Sequence, residues 1–229
     1  MKKLNIFYLT FDGVETHYCG VGTVTQYFLA SLPQISENLK NNNFKTQFYI
    51  LYAETPLNNF GYSKQVSRRT KELSQKLQVI YYTLPHGTEV ENPFGNIIAW
   101  KNMCKRAAEI IRENTKDNAI SLVLATDTPF AGVTTLLAQE KNIYTIWIAA
   151  STSKVWARNA SDIDNVRCEW EQNAINSSNE SSNVFLGATS TYMRDHLIQA
   201  WGAKTNSILD FKRGVSIEYI QKYIKKDQN

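Results

Sequence analysis

The chain has 229 residues, 43% of them hydrophobic and 20% charged, with a net charge of +4 and a pI near 8.8. Such a chain has room for one large α/β domain with a real core. The mild basic excess excludes a protein that coats nucleic acid, and no apolar stretch approaches the ~20 residues of a membrane helix.

In chain order, Leu4–Thr10 reads as a buried first strand and Val21–Leu32 as a helix with Val21, Val24, Phe28, Leu29 and Leu32 on one face. Between them lies Tyr18-Cys19-Gly20-Val21-Gly22-Thr23. Two glycines at a strand-to-helix handover allow a sharp turn and close approach to the main chain. The free N–H groups and positive end of the helix favour an anion there. The expectation is a site for a phosphate, or for a sugar attached to one; a purely structural turn is the alternative. The glycines fall short of the full dinucleotide fingerprint, and no acidic residue at the expected spacing completes it.

Lys45–Tyr52 is the second strand, Ser63–Leu77 a charged amphipathic helix, and Gln78–Tyr82 a short third strand. A long loop follows, punctuated by Pro85-His86-Gly87 and Asn92-Pro93-Phe94-Gly95-Asn96. Ile97–Arg112 reads as a helix. Ile120–Ala125 is a continuous apolar run, typical of a central parallel strand covered on both faces. Then come a helix at Pro129–Glu140, a buried strand at Tyr144–Ala149, a long helix at Ser161–Ser178 and a strand at Val184–Ala188. A helix at Thr191–Ala200 is capped by Gly202. A last strand at Ser207–Phe211 and a helix at Ile217–Lys225 close the chain. This alternation implies a Rossmann-like, doubly wound, mainly parallel sheet with helices on both faces.

Ligands of such sheets sit beyond the carboxyl ends of the strands. The loops there carry Asp12, Glu15 and His17 after the first strand, and Thr126, Asp127 and Thr128 after the central one. Ser151, Thr152, Ser153 and Lys154, with Trp156 and Arg158, follow the next strand, and Thr189, Ser190 and Tyr192 the one after. Hydroxyls, carboxylates and aromatics on one rim suit sugar recognition. The plainer readings are helix N-caps for Asp127 and Ser190, a turn for residues 151–153, solvent roles for His17 and Glu15, and core positions for Trp147 and Trp156. Arg167, Glu169 and Glu171 read as a solvated or intrahelical ion-pair face. Lys64, Arg68, Arg69, Lys71 and Lys76 lie on a surface helix, either as a solvated face or as an attraction to an anionic membrane or polyanionic partner. Cys19, Cys104 and Cys168 show no metal-ligand spacing and fit a reducing cytoplasm. His17, His86 and His196 are too scattered for a zinc site, so no metal is expected. Lys2-Lys3 and the apolar run mimic a secretory start that Asp12 and Glu15 interrupt.

Four segments carry a family resemblance. Cys19-Gly20-Val21-Gly22-Thr23-Val24 is similar to a glycine-rich first loop of the form G-G-V-G. Leu122–Asp127 is similar to a central strand ending in H-A-H-D. Ala188–Leu197 resembles a strand–serine–helix unit. Trp201-Gly202-Ala203 with Asp210-Phe211-Lys212-Arg213-Gly214-Val215 resembles Y-G-V followed by I-P-N-G-V-D. In this order the chain resembles the N-terminal, acceptor-side domain of GT-B-fold glycosyltransferases, in the branch with glycogen and sucrose synthases. The resemblance implies a single domain over 1–215 and a linker over 216–229 that leads to a donor-binding domain. It implies a nucleotide-sugar as co-substrate, no other cofactor and no strict need for metal.

On that footing Gly20, Val21, Gly22 and Thr23 would face the donor's diphosphate, Ser151 and Thr152 would orient a sugar, and Asp127 and His17 are the catalytic candidates. The chain departs from the pattern at Cys19, where a glycine is usual, at Leu124 and Thr126, where histidines are usual, and at Arg213. Two readings follow, both cytoplasmic and without nucleic acid. One is the acceptor-binding half of a glycosyltransferase whose donor domain comes from a second domain or partner chain. The other is a non-catalytic binding or regulatory relative. A nicotinamide- or nucleotide-binding Rossmann protein is a third, less favoured by the incomplete fingerprint.

Overall fold

The structure is a computed structural model, and it describes residues 1–75, 77–88, 93–115, 119–156 and 162–211. Lys76, Asn92, Arg158, the Lys212–Val215 motif and the helix expected at Ile217–Lys225 lie outside the described residues, as does the side chain of Trp156.

Seven parallel strands run β1 (Lys2–Thr10), β2 (Phe44–Ala53), β3 (Val79–Leu84), β4 (Ile120–Thr126), β5 (Ile143–Ala149), β6 (Val184–Ala188) and β7 (Ile208–Asp210). Their order in the sheet is β3-β2-β1-β4-β5-β6-β7. The chain winds outward from β1 to β3, then returns to β4 on the other side of β1. The crevice between the carboxyl ends of β1 and β4 is therefore the topological switch point, where open α/β sheets bind ligands.

Alternate residues of β1 supply two cores. Phe7 and Leu9 join Trp100, Met103 and Ile111 of α3 (Ile97–Asn114) on one face. Ile6 and Tyr8 join Leu29 and Leu32 of α1 (Gly20–Asn41) on the other. A strand covered on both sides has to be largely apolar, as Ile6–Leu9 of β1 and Leu122–Ala125 of β4 are. α2 (Lys64–Ser74) lies beside α1, and α4 (Gly132–Leu137) lies against α3. α5 (Ser153–Trp156), α6 (Asp162–Glu180) and α7 (Thr191–Trp201) complete the helices of the described residues.

Several boundaries differ from those expected. α1 runs on past Leu32 to Asn41 with Pro33 inside it. Pro33 is exposed, and Ile35 and Leu39 continue the apolar stripe of Leu29 and Leu32, so packing holds the helix across the proline. The helix expected at Pro129–Glu140 is instead a 3-10 turn at Thr128–Phe130 followed by the six-residue α4. The segment 153–156, expected in a loop, forms the short α5.

Candidate functional site

The rim of the switch point begins with Asp12, which is 1% exposed. Its Oδ1 accepts from the amide of Gly13 at 2.9 Å and from the hydroxyl of Thr16 at 2.8 Å. Its Oδ2 accepts from the amides of Cys19 at 2.9 Å and Gly22 at 3.1 Å, and the Tyr18 amide reaches both oxygens at 3.1 Å. The carboxylate thus sits where an anion would sit at the start of α1. Of the glycine-loop amides, those of Tyr18, Cys19 and Gly22 already serve this internal anion, as the structural-turn alternative has it.

The glycines divide accordingly. A Cβ on Gly22 would stand 2.6 Å from Asp12 Oδ2. Gly13, which sequence reading passed over, has φ +91° and lies against the Gly22 carbonyl oxygen and α-carbon, where no side chain fits. A Cβ on Gly20 would meet nothing within 4 Å, and Gly20 is exposed. Val21 is buried and Thr23 half-buried in the first turn of α1.

Asp127 faces the same crevice. It is 4% exposed, and its backbone holds φ +63° and ψ 178°, a region almost reserved for glycine and costing about 1–3 kcal/mol. Hydrogen bonds through its main chain and side chain hold it there, one of them from the Phe130 amide to the Asp127 carbonyl at 3.3 Å. The Asp127 amide donates to the Ile148 carbonyl at 2.9 Å, Trp147 Nε1 donates to the Asp127 carbonyl at 2.9 Å, and the Thr128 amide donates to Asp127 Oδ1 at 2.9 Å. The last contact makes Asp127 the cap of the 3-10 turn. Next to it, Thr126 Oγ1 donates to the Leu9 carbonyl at 2.7 Å and joins β4 to β1.

Thr126 and Asp127 line a pocket of about 50 Å³ with Tyr8, Val21, Val24, Phe28, Ile148 and Ala150. That space admits a few waters or one hydroxyl-bearing group rather than a sugar ring, and enclosed ligand sites are many times larger. Partial desolvation raises the pKa of the Cys19 thiol at this rim. The Val21 amide opposes that shift, and the negative charges of Asp12 and Asp127 add to it.

The loop after β5 is tied elsewhere. Thr152 is 0% exposed, and its hydroxyl lies 2.7 Å from His196 Nε2 and accepts from Trp201 Nε1 at 3.2 Å. This corrects the expectation that Thr152 orients a ligand. Ser151 is half-buried, and its hydroxyl accepts from Arg167 Nη2 at 3.2 Å. His17 is exposed; its amide donates to the Gly61 carbonyl at 3.0 Å, and its side chain is not among those lining the pocket. The expected candidates therefore separate: Val21 and Asp127 line one pocket, Gly20 and His17 are exposed, and Thr152 is internal. Ser190 caps α7, its hydroxyl accepting from the Met193 amide at 3.1 Å.

The intrahelical ion pair expected of Arg167 and Glu171 is present, but it is buried rather than solvated: the Glu171 side chain is 0% exposed and that of Arg167 is 11% exposed. Glu171 Oε1 accepts from Arg167 Nε at 2.8 Å and from the Thr128 hydroxyl at 2.7 Å. Glu171 Oε2 accepts from the Ser153 amide at 2.8 Å and hydroxyl at 2.7 Å. Arg167 Nη2 also donates to Thr128 Oγ1, and the guanidinium lies 5.5 Å over the Phe94 ring. The signal available was the i, i+4 spacing alone, which cannot tell a buried pair from a solvated one. Among the described residues no cluster of His, Cys, Asp and Glu could hold a metal ion.

The sheet order and its switch point define a Rossmann-like α/β fold, similar to the GT-B-like folds of known structures. Two solved structures share it. Sucrose-phosphate synthase from Thermosynechococcus elongatus aligns with a TM-score of 0.62 at 13% identity, over 93% of this chain and 49% of that one. The N-terminal domain of Candida albicans trehalose-6-phosphate phosphatase aligns with a TM-score of 0.52 at 11% identity, over 95% and 50%. The chain spans about half the length of each, and at these identities the likeness is one of fold. No protein-family description and no curated protein sequence matches the chain.

Proposed function

We propose that this chain is the acceptor-side half of a glycosyltransferase-like assembly, with a nucleotide-sugar donor held by a second domain or partner chain. The observation that carries this reading is the strained, buried Asp127 that lines a pocket of about 50 Å³ at the switch point. A carboxylate held in a costly conformation at the strand ends suits a hydroxyl acceptor, which it would orient and from which it would draw a proton. The Asp12 carboxylate already accepts from the Tyr18, Cys19 and Gly22 amides and disfavours a diphosphate there, so in this reading the donor's phosphates lie on the other domain. The fold shared with sucrose-phosphate synthase supports a carbohydrate setting.

Saturation-transfer NMR on the purified chain tests this. Neutral mono- and oligosaccharides should give transfer that Asp127→Asn abolishes, and nucleotide-sugars should give none. Sub-millimolar binding of a nucleotide-sugar, or unaided sugar transfer, would overturn the reading.

One observation favours the non-catalytic relative instead. Asp12 fills the anion position at the start of α1, as expected of a subunit that has lost contact with phosphates. Under that reading neutral saccharides give no signal, and a partner protein binds equally well to the Asp127→Asn variant.

A further inference from the structure

Beyond the crevice, the loop between β2 and α2 holds two of the most exposed large apolar side chains among the described residues, Leu57 at 77% and Phe60 at 68%. The tip that carries them is tied down. The Asn59 amide donates to the Pro56 carbonyl at 2.9 Å, and the Tyr62 amide donates to the Asn59 carbonyl at 3.0 Å. The Tyr18 hydroxyl and the Gly61 amide both donate to Asn59 Oδ1, at 2.7 and 2.8 Å. The Phe60 ring lies edge-on to Tyr18, 5.4 Å between centroids. Ser63 then caps α2. The outer face of that helix exposes Lys64, Arg68, Arg69 and Lys71 against one acid, Glu72, which pairs with Arg68 at 2.8 Å.

A preordered apolar tip leading directly into a cationic helix face fits one kind of surface. A stable protein interface needs about 800 Å² on each side with an apolar core, and two apolar side chains beside a row of solvated cations do not supply it. An anionic bilayer asks for less: a few apolar side chains reaching ~5–10 Å into the headgroup boundary, and basic residues over the lipid charges. We propose that Leu57, Phe60 and the Lys64–Arg68–Arg69 face dock this chain peripherally on an anionic lipid surface. The tip and the β1–β4 crevice share the carboxyl edge of the sheet, so docking would bring the crevice toward the bilayer. The proposal does not depend on the acceptor reading.

The test is co-sedimentation of the full chain with vesicles of phosphatidylcholine alone or mixed with phosphatidylglycerol, at low and high salt. Binding should appear with the mixed vesicles and fall at high salt. The triple variant Lys64→Gln, Arg68→Gln, Arg69→Gln should lower the partition by about 100-fold, and Leu57→Ser with Phe60→Ser by about tenfold or more. All five side chains are exposed, so unchanged circular dichroism is expected of both variants and establishes that the fold is kept. Absence of binding to mixed vesicles, or binding that either variant leaves unchanged, would overturn the proposal. Capture by an acidic polypeptide without vesicle binding would point to a protein partner and also overturn it.

Discussion

The two halves of the carboxyl edge are held by carboxylates of different kinds. On the β1 side, Asp12 is surrounded by the amides of Gly13, Tyr18, Cys19 and Gly22 and by one hydroxyl. No cationic side chain is among its recorded partners there. On the β4 and β5 side, Glu171 is held by a guanidinium, two hydroxyls and one amide. Main-chain donors hold a loop locally, because they belong to the segment that turns. An ion pair on a helix can bind two separate loops, and Arg167–Glu171 does so for Thr128 and Ser151–Ser153. Asp127 directly precedes Thr128 of the second device, and its strained backbone is held from the β5 side by Ile148 and Trp147.

The largest effect should come from breaking the second device. Glu171→Ala leaves the Arg167 charge mostly buried beside Thr128, and unfolding in urea should show a loss of about 3–5 kcal/mol. Asp12→Ala removes the acceptor of several enclosed amides and should cost about 2–4 kcal/mol, partly relieved by water at the rim. The double variant tests whether the halves are separate: additivity within about 0.5 kcal/mol means independent clamps, and a larger departure means they act through Asp127.

A smaller effect separates the glycines of the first loop. Gly22→Ala pushes on the Asp12 carboxylate and should cost about 1–3 kcal/mol, whereas Gly20→Ala should stay within about 0.5 kcal/mol. Gly22 is therefore no clean probe of activity, because replacing it disturbs the Asp12 cap. Equal losses at both positions would show that the cap does not constrain the loop.

The smallest effect is in pH and belongs to the β5 side alone. Burial first, then the positive charge of Lys154, lower the pKa of His196 from its ordinary 6.5, with Glu171 opposing. A depressed folded pKa means that the unfolded chain binds more protons, so the contribution is present above 6.5 and is lost as pH falls toward the folded value. Protonation also removes the acceptor that Trp201 Nε1 uses at 3.1 Å. Hydrogen exchange on acidification should rise at Thr152 before it rises at Cys19, and His196→Asn should flatten the difference. A simultaneous rise would erase the distinction between the halves.

The sequence by itself determined the layered architecture. Strand and helix alternated legibly, and the runs at Leu4–Thr10 and Ile120–Ala125 marked central strands because both sheet faces had to be apolar. Side-chain period carries that information, and it is local. The loops that end the strands were also legible as the place to look, since that follows from parallel winding. What each loop residue does was decided only by tertiary structure. Asp12 is ten residues from Gly22, and Glu171 is 43 from Thr128, so neither partnership appears in any local pattern. The glycine loop was read as open to an anion because its own carboxylate had not been placed. The Arg167–Glu171 pair of α6 is legible in its spacing but its burial is not, because spacing fixes which residues share a face and not what covers it. Coverage depends on the whole sheet order, and in this chain that order converts an apparent anion site into a capped turn and an apparent surface pair into the bolt behind the crevice.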